Sequence, residues 1–218
     1  MRKDISNQLS NIVLEREEER VRRSEYKINS LILNRWSSRA MSDAEELSNE
    51  ELMPLFEAAR WAPSSVNAQP WRFIYAKRNT ARAEDWNRLF NLLVDANKDW
   101  AKNAAVLIVV VSKKELEYNG RVLPSVTHQF DTGAAWENLA LEASSRGLVA
   151  HALAGFDYEK ARRDLDIPDE YDVMAMVAIG KRGPKESLPL KLQEREIPSD
   201  RKPLGEIVME GRFKLERN

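Results

Sequence analysis

The 218-residue sequence contains no cysteine and only two histidines, His128 and His151. Without cysteine there are no disulfide bonds, no thiolate metal ligands and no cysteine nucleophile. With two histidines, a metal centre built from several imidazoles is not expected. The sequence therefore points away from thiol chemistry and from histidine-bound metals.

Long apolar runs and a net charge of one sign are also missing. No apolar run reaches the roughly 18 residues of a membrane-spanning helix, and the first six residues, Met-Arg-Lys-Asp-Ile-Ser, lack the apolar core of a signal peptide. The 34 basic and 35 acidic residues give a formal net charge of -1, so no overall field favours nucleic acid or an anionic membrane. We expect a soluble, cytoplasmic protein that binds neither.

The length fits one domain with an appended arm. We expect a charged helical arm over residues 1–27, which packs on another part of the protein or on a second subunit, or is partly frayed. Residues 28–218 are expected to form a single domain. Its extension from about residue 181 is spaced by prolines and is not expected to bury itself. The last apolar stretch, residues 207–209, predicts a strand added to the edge of a sheet.

The periodicity of the apolar residues predicts a mixed fold of helices and strands. Ser48 and Glu51 form a capping box for a helix that ends near Trp61. Further helices are predicted over residues 80–94, 131–146 and 157–165, and strands over 72–76, 105–112, 148–153 and 172–179. The run 105–112 is continuous and β-branched, which is typical of a buried central strand. Residues 113–128 show neither period, which favours a lid or binding loop.

The stretch from residue 62 to residue 73 connects the first long helix to the first strand. Two prolines stiffen it, and four hydrogen-bonding side chains crowd it: Ser64, Ser65, Asn67 and Gln69. Such a segment can hold the polar edge of a flat heterocycle. It can equally be a rigid turn whose polar side chains satisfy their own backbone.

Other residues suggest binding chemistry, each with a structural alternative. Arg35 and Arg39 can wrap one anion, or they can be solvated charges. Gly155 allows a flat ligand to approach the backbone. His128, at the end of the predicted loop, can donate to a substrate or pack the loop. His151 lies within an apolar strand and is interpreted as a core histidine.

Five motifs occur in a characteristic order between residues 28 and 213. They are Arg-x-Ser-x-Arg at 35–39, Pro-Ser-Ser-x-Asn-x-Gln-Pro-Trp-x-Phe at 63–73, Asp-x-Gly-x-Ala-x-x-Asn-Leu at 131–139, Gly-Phe at 155–156 and Arg-Lys-Pro-Leu at 201–204. Together they resemble the FMN-dependent nitroreductase family. The resemblance implies an α+β, three-layer α/β/α fold with a mostly antiparallel central sheet flanked by helices. It also implies an intertwined homodimer with C-terminal strand exchange and two FMN sites at the interface.

The resemblance further implies a set of cofactor-binding residues. The phosphate and ribityl oxygens would be bound by Arg35, Ser37 and Arg39, with Trp36 in the same segment, and from the tail by Arg201 and Lys202. The isoalloxazine would be contacted from the second subunit by Pro63, Ser64, Ser65 and Asn67, with Gln69 supporting that loop. Ala154 and Gly155 would lie beside flavin N5, and Asn97 at the pyrimidine edge. Ala154 replaces a glutamate found in many relatives, which removes a charge near the flavin.

The implied activity is hydride transfer from NADPH or NADH to flavin N5, followed by reduction of a nitroaromatic or a quinone in a ping-pong mechanism. The sequence fits such cofactor chemistry because it shows no Ser-His-Asp arrangement, no paired-carboxylate motif and no Gly-x-Gly-x-x-Gly. Two alternatives stay open. One is a reductive dehalogenase on the same fold, and the other is a non-catalytic flavin-binding dimer that stores or senses FMN.

Overall fold

A computed structural model describes residues 22–213. The helix predicted within the N-terminal arm lies almost entirely outside these residues. The described chain falls into two compact units, one of residues 35–197 and one that contains residues 22–34 and 198–213. The division predicted at residue 28 stays a prediction. None of the helices between residues 22 and 213 is long and apolar enough to cross a membrane.

The helices and strands are numbered in chain order. The α-helices are α1 Ser30–Asn34, α2 Asn49–Arg60, α3 Ala83–Phe90, α4 Asp95–Ala101, α5 His128–Ser145, α6 Tyr158–Asp164 and α7 Leu190–Gln193. The strands are β1 Trp71–Lys77, β2 Val106–Lys113, β3 Glu115–Tyr118, β4 Arg121–Pro124, β5 Leu148–Leu153 and β6 Tyr171–Lys181. Short 3₁₀ turns occur at Ser65–Asn67, Lys185–Ser187 and Leu204–Glu206.

The main sheet has the strand order β1-β2-β6-β5, and every neighbouring pair is antiparallel. Strand β2 lies inside the sheet and is buried along almost its whole length, which confirms the interpretation of its β-branched run. Strands β1 and β5 form the two edges. As a result, the stretch before β1 and the residues after β5 lie at the same end of the sheet but at opposite edges.

Alternate residues of β2 face opposite layers because side chains of a strand point to opposite sides of the sheet. Leu107, Val109 and Val111 pack with apolar residues of α3, α4 and α6. Val106, Ile108 and Val110 pack with apolar residues of α2 and α5. The sheet therefore has a hydrophobic core on each face, and the predicted three-layer arrangement is confirmed.

Local signals place several helix ends correctly. Ser48 and Glu51 make both bonds of the capping box that begins α2. Asp157 caps α6 by accepting a hydrogen bond from the Lys160 N–H. Gly147, with φ +72, follows α5 in the left-handed conformation that glycine tolerates best.

The loop predicted over residues 113–128 is wrong, because most of it forms the hairpin β3–β4. Asn119 and Gly120 form its turn with φ values of 51° and 70°, as two-residue hairpins require. The hairpin buries none of its side chains. The alternation of Glu115-Leu116-Glu117-Tyr118 and the Asn-Gly turn are hairpin signals in the sequence, and the prediction of a loop did not use them.

Two helix predictions also need correction. Within residues 80–94 only α3 is helical, because residues 92–94 instead bond to the backbone of residues 155–157. Helix α5 begins at His128 rather than near Asp131, and the Asp131 carboxylate does not cap it. That carboxylate accepts hydrogen bonds from the Ser65 N–H and the Thr127 hydroxyl.

The smaller unit is held by contacts between its two segments. Arg22 Nε donates to the Ser199 carbonyl oxygen at 2.9 Å, and the Leu204 N–H donates to Glu25 Oε1 at 2.7 Å. Within the part of the chain that is described, residues 207–209 belong to no strand. Their pairing with a second subunit stays a prediction.

Candidate functional site

The segment from Arg35 to Ala40 has a buried and an open face. Ser38 and Ala40 are 0% and 2% exposed, whereas Arg35, Ser37 and Arg39 are partly exposed. Arg35 Nε also lies 3.4 Å from a carboxylate oxygen of Glu137 on α5. Two guanidinium groups and a hydroxyl therefore alternate along the open side, where they can bind one anion.

The buried face of this segment is attached to strand β5 through His151. The Nδ1 atom of His151 lies 3.0 Å from the Ser38 carbonyl oxygen and donates to it. Burial lowers the pKa of His151 below its usual 6.5, and nearby Arg39 lowers this pKa further, against the raising effect of the bond to Ser38. His151 is thus a neutral core histidine, as predicted, and it also orients the Arg35–Ala40 segment.

The backbone at Gly155 is held just after the end of β5. Its carbonyl oxygen accepts hydrogen bonds from the Val94 N–H at 3.1 Å and from Asn97 Nδ2 at 3.0 Å. A side chain at this position would clash with the Asn97 amide. Within residues 22–213 the Gly155 N–H has no protein acceptor, and neighbouring Ala154 is exposed. A free backbone donor is therefore presented beside an open position.

One network joins the two features. Asn97 Oδ1 accepts a hydrogen bond from the Trp100 indole at 3.2 Å, so both ends of the Asn97 amide are used within the chain. The Trp100 ring packs on the His151 ring with 4.6 Å between centroids. A continuous path runs from Ser38 through His151, Trp100 and Asn97 to Gly155. The open face with Arg35, Ser37 and Arg39 and the free N–H of Gly155 therefore lie along the same edge strand.

The loop before β1 has a strained backbone, and two of its polar side chains form hydrogen bonds within the loop itself. Val66, Asn67 and Gln69 have φ values of 45°, 57° and 47°, each of which costs about 1 kcal/mol for a residue with a Cβ. The Ser64 hydroxyl accepts from the Gln69 N–H, and the Gln69 amide donates to the Asn67 carbonyl oxygen. Ser64 and Gln69 thus serve the backbone of the loop, as the structural alternative proposed. Asn67 is left exposed.

Asp131 fixes this loop to α5. Its carboxylate is 4% exposed and accepts from the Ser65 N–H and the Thr127 hydroxyl, both at 3.1 Å. The sequence offers Asp131 or Thr132 as a cap of this helix and gives no sign of the anchoring role, because Ser65 lies 66 positions away in the chain.

One chain neighbour of each of Ser65, Thr127 and Asp131 is apolar and exposed. Val66 is 56% exposed, Val126 is 96% exposed and Phe130 is 81% exposed. Each is the chain neighbour of Ser65, Thr127 or Asp131, which the Asp131 carboxylate joins, and we call these three exposed side chains the Asp131 patch. Exposed apolar clusters of this kind mark interaction surfaces.

A single chain does not bring all the predicted site residues together. The loop that carries Asn67 and the backbone at Gly155 lie at opposite edges of the sheet, at least three strand spacings or about 14 Å apart. Arg201 and Lys202 lie in the smaller unit. There Arg201 bonds to oxygens of Ser199 and Asp200, and Lys202 pairs with Glu206 at 3.5 Å.

His128 lies at the first turn of α5, not at the end of a loop, and is 9% exposed. Its Nδ1 is 2.9 Å from the Ser112 hydroxyl and its Nε2 is 3.7 Å from an Asp172 oxygen. The register of β2 with β6 thus assembles a Ser-His-Asp cluster that the sequence did not show.

This cluster cannot supply a nucleophile. Ser112 is fully buried, and its hydroxyl donates to the His128 carbonyl oxygen at 2.9 Å. Nδ1 must then carry the proton and donate to Ser112, so it cannot act as a base. Among the described residues, no group of three or more metal-ligating side chains converges either. The chemistry of the protein is therefore not supplied by these side chains.

The chain belongs to the nitroreductase family. The model described as "Nitroreductase family" matches residues 32–181, more than half of the sequence. A solved structure described as an oxidoreductase containing FMN is 45% identical, with a TM-score of 0.83, over 88% of this chain and 96% of that one.

Two curated proteins extend the likeness. Protein DrgA of Synechocystis sp. is 31% identical over 199 residues, which cover 81% of this chain and 92% of that protein. MhqN of Bacillus subtilis, named as a candidate NAD(P)H nitroreductase, is 24% identical over 210 residues, which cover 82% of this chain and 96% of that protein.

Proposed function

We propose that this protein is an FMN-dependent oxidoreductase that takes hydride from NADPH or NADH and passes it to nitroaromatics or quinones. The observation that carries the proposal is the network from Ser38 to Gly155. It holds an open cationic face and an unpaired backbone N–H along one strand edge. The similar oxidoreductase containing FMN supports the choice of flavin, and the name of MhqN supports the choice of reductant.

The residues fit a phosphorylated flavin. Arg35, Ser37 and Arg39 supply charged and neutral donors for a phosphate. His151 and Gly155 are four residues apart, or about 13 Å along an extended chain. This separation suits a phosphate at one end of a five-carbon chain and a ring at the other. The Gly155 N–H would then donate to the ring edge, while Asn97 keeps the Gly155 backbone in place.

A bound flavin supplies the hydride acceptor and donor, and the protein supplies binding, orientation and electrostatics. Among the described residues, Ser112, His128 and Asp172 do not form a nucleophilic triad, and no group of metal-ligating side chains converges. Because one open ring face would serve both reductant and acceptor, we expect ping-pong kinetics. His128 is buried among Ser112 and Asp172 and is not required for this scheme.

The proposed assembly is a homodimer. The Asp131 patch leaves Phe130 and Val126 almost fully in water, and a second copy would cover them. A second copy would also bring its Asn67 loop to the Gly155 edge, which the loop of the same chain does not reach. In this proposal Arg201 and Lys202 approach the phosphate. Leu188 and Glu196 are buried within their own chain, so the extension predicted from about residue 181 crosses to the second subunit only beyond residue 197.

The test is the visible spectrum of the purified protein before and after anaerobic addition of NADPH or NADH. Rapid loss of a flavin band, followed by its return when a quinone or nitroaromatic is added, is the expected result. A bound flavin that neither nicotinamide reduces would favour storage or sensing, and a protein that binds no FMN would refute both readings. Dilution that dissociates the dimer should release the flavin.

A matched pair of variants tests the phosphate site. Arg39→Ala should weaken FMN binding by about 2 kcal/mol, the scale of a lost charge-assisted hydrogen bond. Arg163→Ala removes the same charge from an exposed position on α6 and should leave the affinity unchanged. Equal affinities of the two variants for FMN would contradict the assignment of Arg39 to the phosphate site.

A further inference from the structure

A buried carboxylate accepts hydrogen bonds from the inner face of the Arg35–Ala40 segment. Glu196 lies just beyond α7 and is 8% exposed. Its Oε1 accepts hydrogen bonds from the Ser38 hydroxyl, from the Arg39 N–H at 2.8 Å and from the Ala40 N–H at 2.9 Å. One oxygen therefore engages three consecutive residues that lie more than 150 positions away in the sequence.

These hydrogen bonds to Glu196 determine which side chains of the segment face outward. Ser38 and Ala40 are buried on the side of Glu196, and Arg39 between them is directed to the open side, as are Arg35 and Ser37. A slip of one residue in an extended segment would exchange the two faces. The contact with Glu196 opposes that slip because its donors include two successive backbone N–H groups.

The same contact decides how an anion can be bound. Successive backbone N–H groups often bind phosphate themselves. Here the Arg39 and Ala40 N–H groups are already used by a carboxylate, so they are not available to a ligand. Recognition of a phosphate is left to the side chains on the open face.

The carboxylate is retained at an energetic cost. Glu196 Oε2 is buried and has no hydrogen-bond partner within residues 22–213, and an unpaired buried polar atom is destabilising. A neutral amide could not replace it without loss. It would weaken the three bonds at Oε1 and place an NH₂ group where no acceptor is present.

We propose that Glu196 is a positioning residue that makes the site select a phosphorylated flavin over its unphosphorylated form. The proposal rests on the proposed flavin function. It concerns the phosphate end of the ligand, since Glu196 bonds directly to the Arg35–Ala40 segment, whereas the direct hydrogen bonds to the Gly155 carbonyl oxygen come from Val94 and Asn97.

The experiment compares dissociation constants for FMN and for riboflavin, measured by flavin fluorescence. Glu196→Gln should raise the dissociation constant for FMN about tenfold, the scale of a lost charge-assisted hydrogen bond. It should change the dissociation constant for riboflavin less than about twofold. Glu194→Gln makes the same substitution at an exposed carboxylate two residues away and should change neither constant. If Glu196 had a merely structural role, the substitution would weaken the binding of both flavins equally. That result, or no change in either dissociation constant, would overturn the proposal.

Two further measurements keep the test decisive. If Glu196→Gln does not fold, Ser38→Ala removes one donor to the same oxygen and should give a smaller loss confined to FMN; equal losses for both flavins would overturn the proposal. If the wild-type protein binds neither flavin, the proposed function fails. Hydrogen exchange of the Arg39 and Ala40 amides then still tests the hydrogen bonds to Glu196. Glu196→Gln should accelerate the exchange of both amides, and unchanged exchange rates would refute the contact.

Discussion

Gly155 occupies a position that should tolerate no side chain, for a reason that lies within the chain. A Cβ built on it would come within 3.0 Å of Asn97 Nδ2 and 3.1 Å from Val94 Cγ2. Its φ is not in the left-handed region, so Gly155→Ala adds no backbone strain. The cost of this substitution is therefore the cost of displacing the Asn97 amide.

The magnitude follows from the bonds of that amide. Moving Asn97 breaks its 3.0 Å bond to the Gly155 carbonyl oxygen, which is worth about 1 kcal/mol. It also removes the acceptor of the Trp100 indole, a residue that is 1% exposed, and an unsatisfied buried donor costs about 1–3 kcal/mol. Alanine also lowers the conformational entropy of the unfolded chain, which stabilises the folded state by about 0.4–1 kcal/mol. We expect a net destabilisation of about 1–4 kcal/mol.

The assay is urea unfolding followed by far-UV circular dichroism, in a double-mutant cycle with Asn97→Ala. The truncated residue 97 no longer clashes, so Gly155→Ala should cost less than about 1 kcal/mol in that background, through Val94 alone. The same cost in both backgrounds, or a cost below about 0.5 kcal/mol in the wild type, would show that Asn97 does not set the requirement for glycine.

Two other predictions concern Asp131 and His151. Asp131→Ala removes the acceptor of the Ser65 N–H and the Thr127 hydroxyl, so it should destabilise the protein by about 1–3 kcal/mol and speed hydrogen exchange at Ser65; unchanged exchange would disprove the anchoring role. Because burial, above all, depresses the pKa of His151 below 6.5, the unfolded state binds more protons between the depressed value and pH 6.5. Stability should thus be lost as the pH falls below 6.5 and level off below the folded-state pKa. His151→Gln should flatten this slope, and an unaltered slope would rule out His151 as its source.

The sequence alone was enough to predict the family, the three layers and most element positions. The family and the three layers were implied by the resemblance of the five motifs, whereas the element positions came from local chemistry. A capping box at Ser48, a glycine cap at Gly147 and a continuous β-branched run in β2 each act over a few residues. Each can therefore be read without knowing what packs around it.

Where local signals were absent, overridden or overlooked, the prediction was wrong. The hairpin β3–β4 carries only four alternating residues and an Asn-Gly turn, a local signal that the prediction of a loop overlooked. Residues 92–94 carry a helical pattern, but their backbone bonds to residues 155–157. His128 was placed in a loop because the first turn of α5 carries no side-chain cap.

The candidate site divides in the same way. The residue types that suit a phosphate and a flat ring, from Arg35 to Gly155, were evident in the sequence because they form contiguous motifs. Only the tertiary structure decided which groups hold those motifs in place: Glu196 beneath the arginines, Asp131 beneath the Asn67 loop and Asn97 against Gly155. These contacts join residues 58 to 158 positions apart. A hydrogen bond across such a separation leaves no periodic or compositional trace, since it depends on how the strands and helices meet.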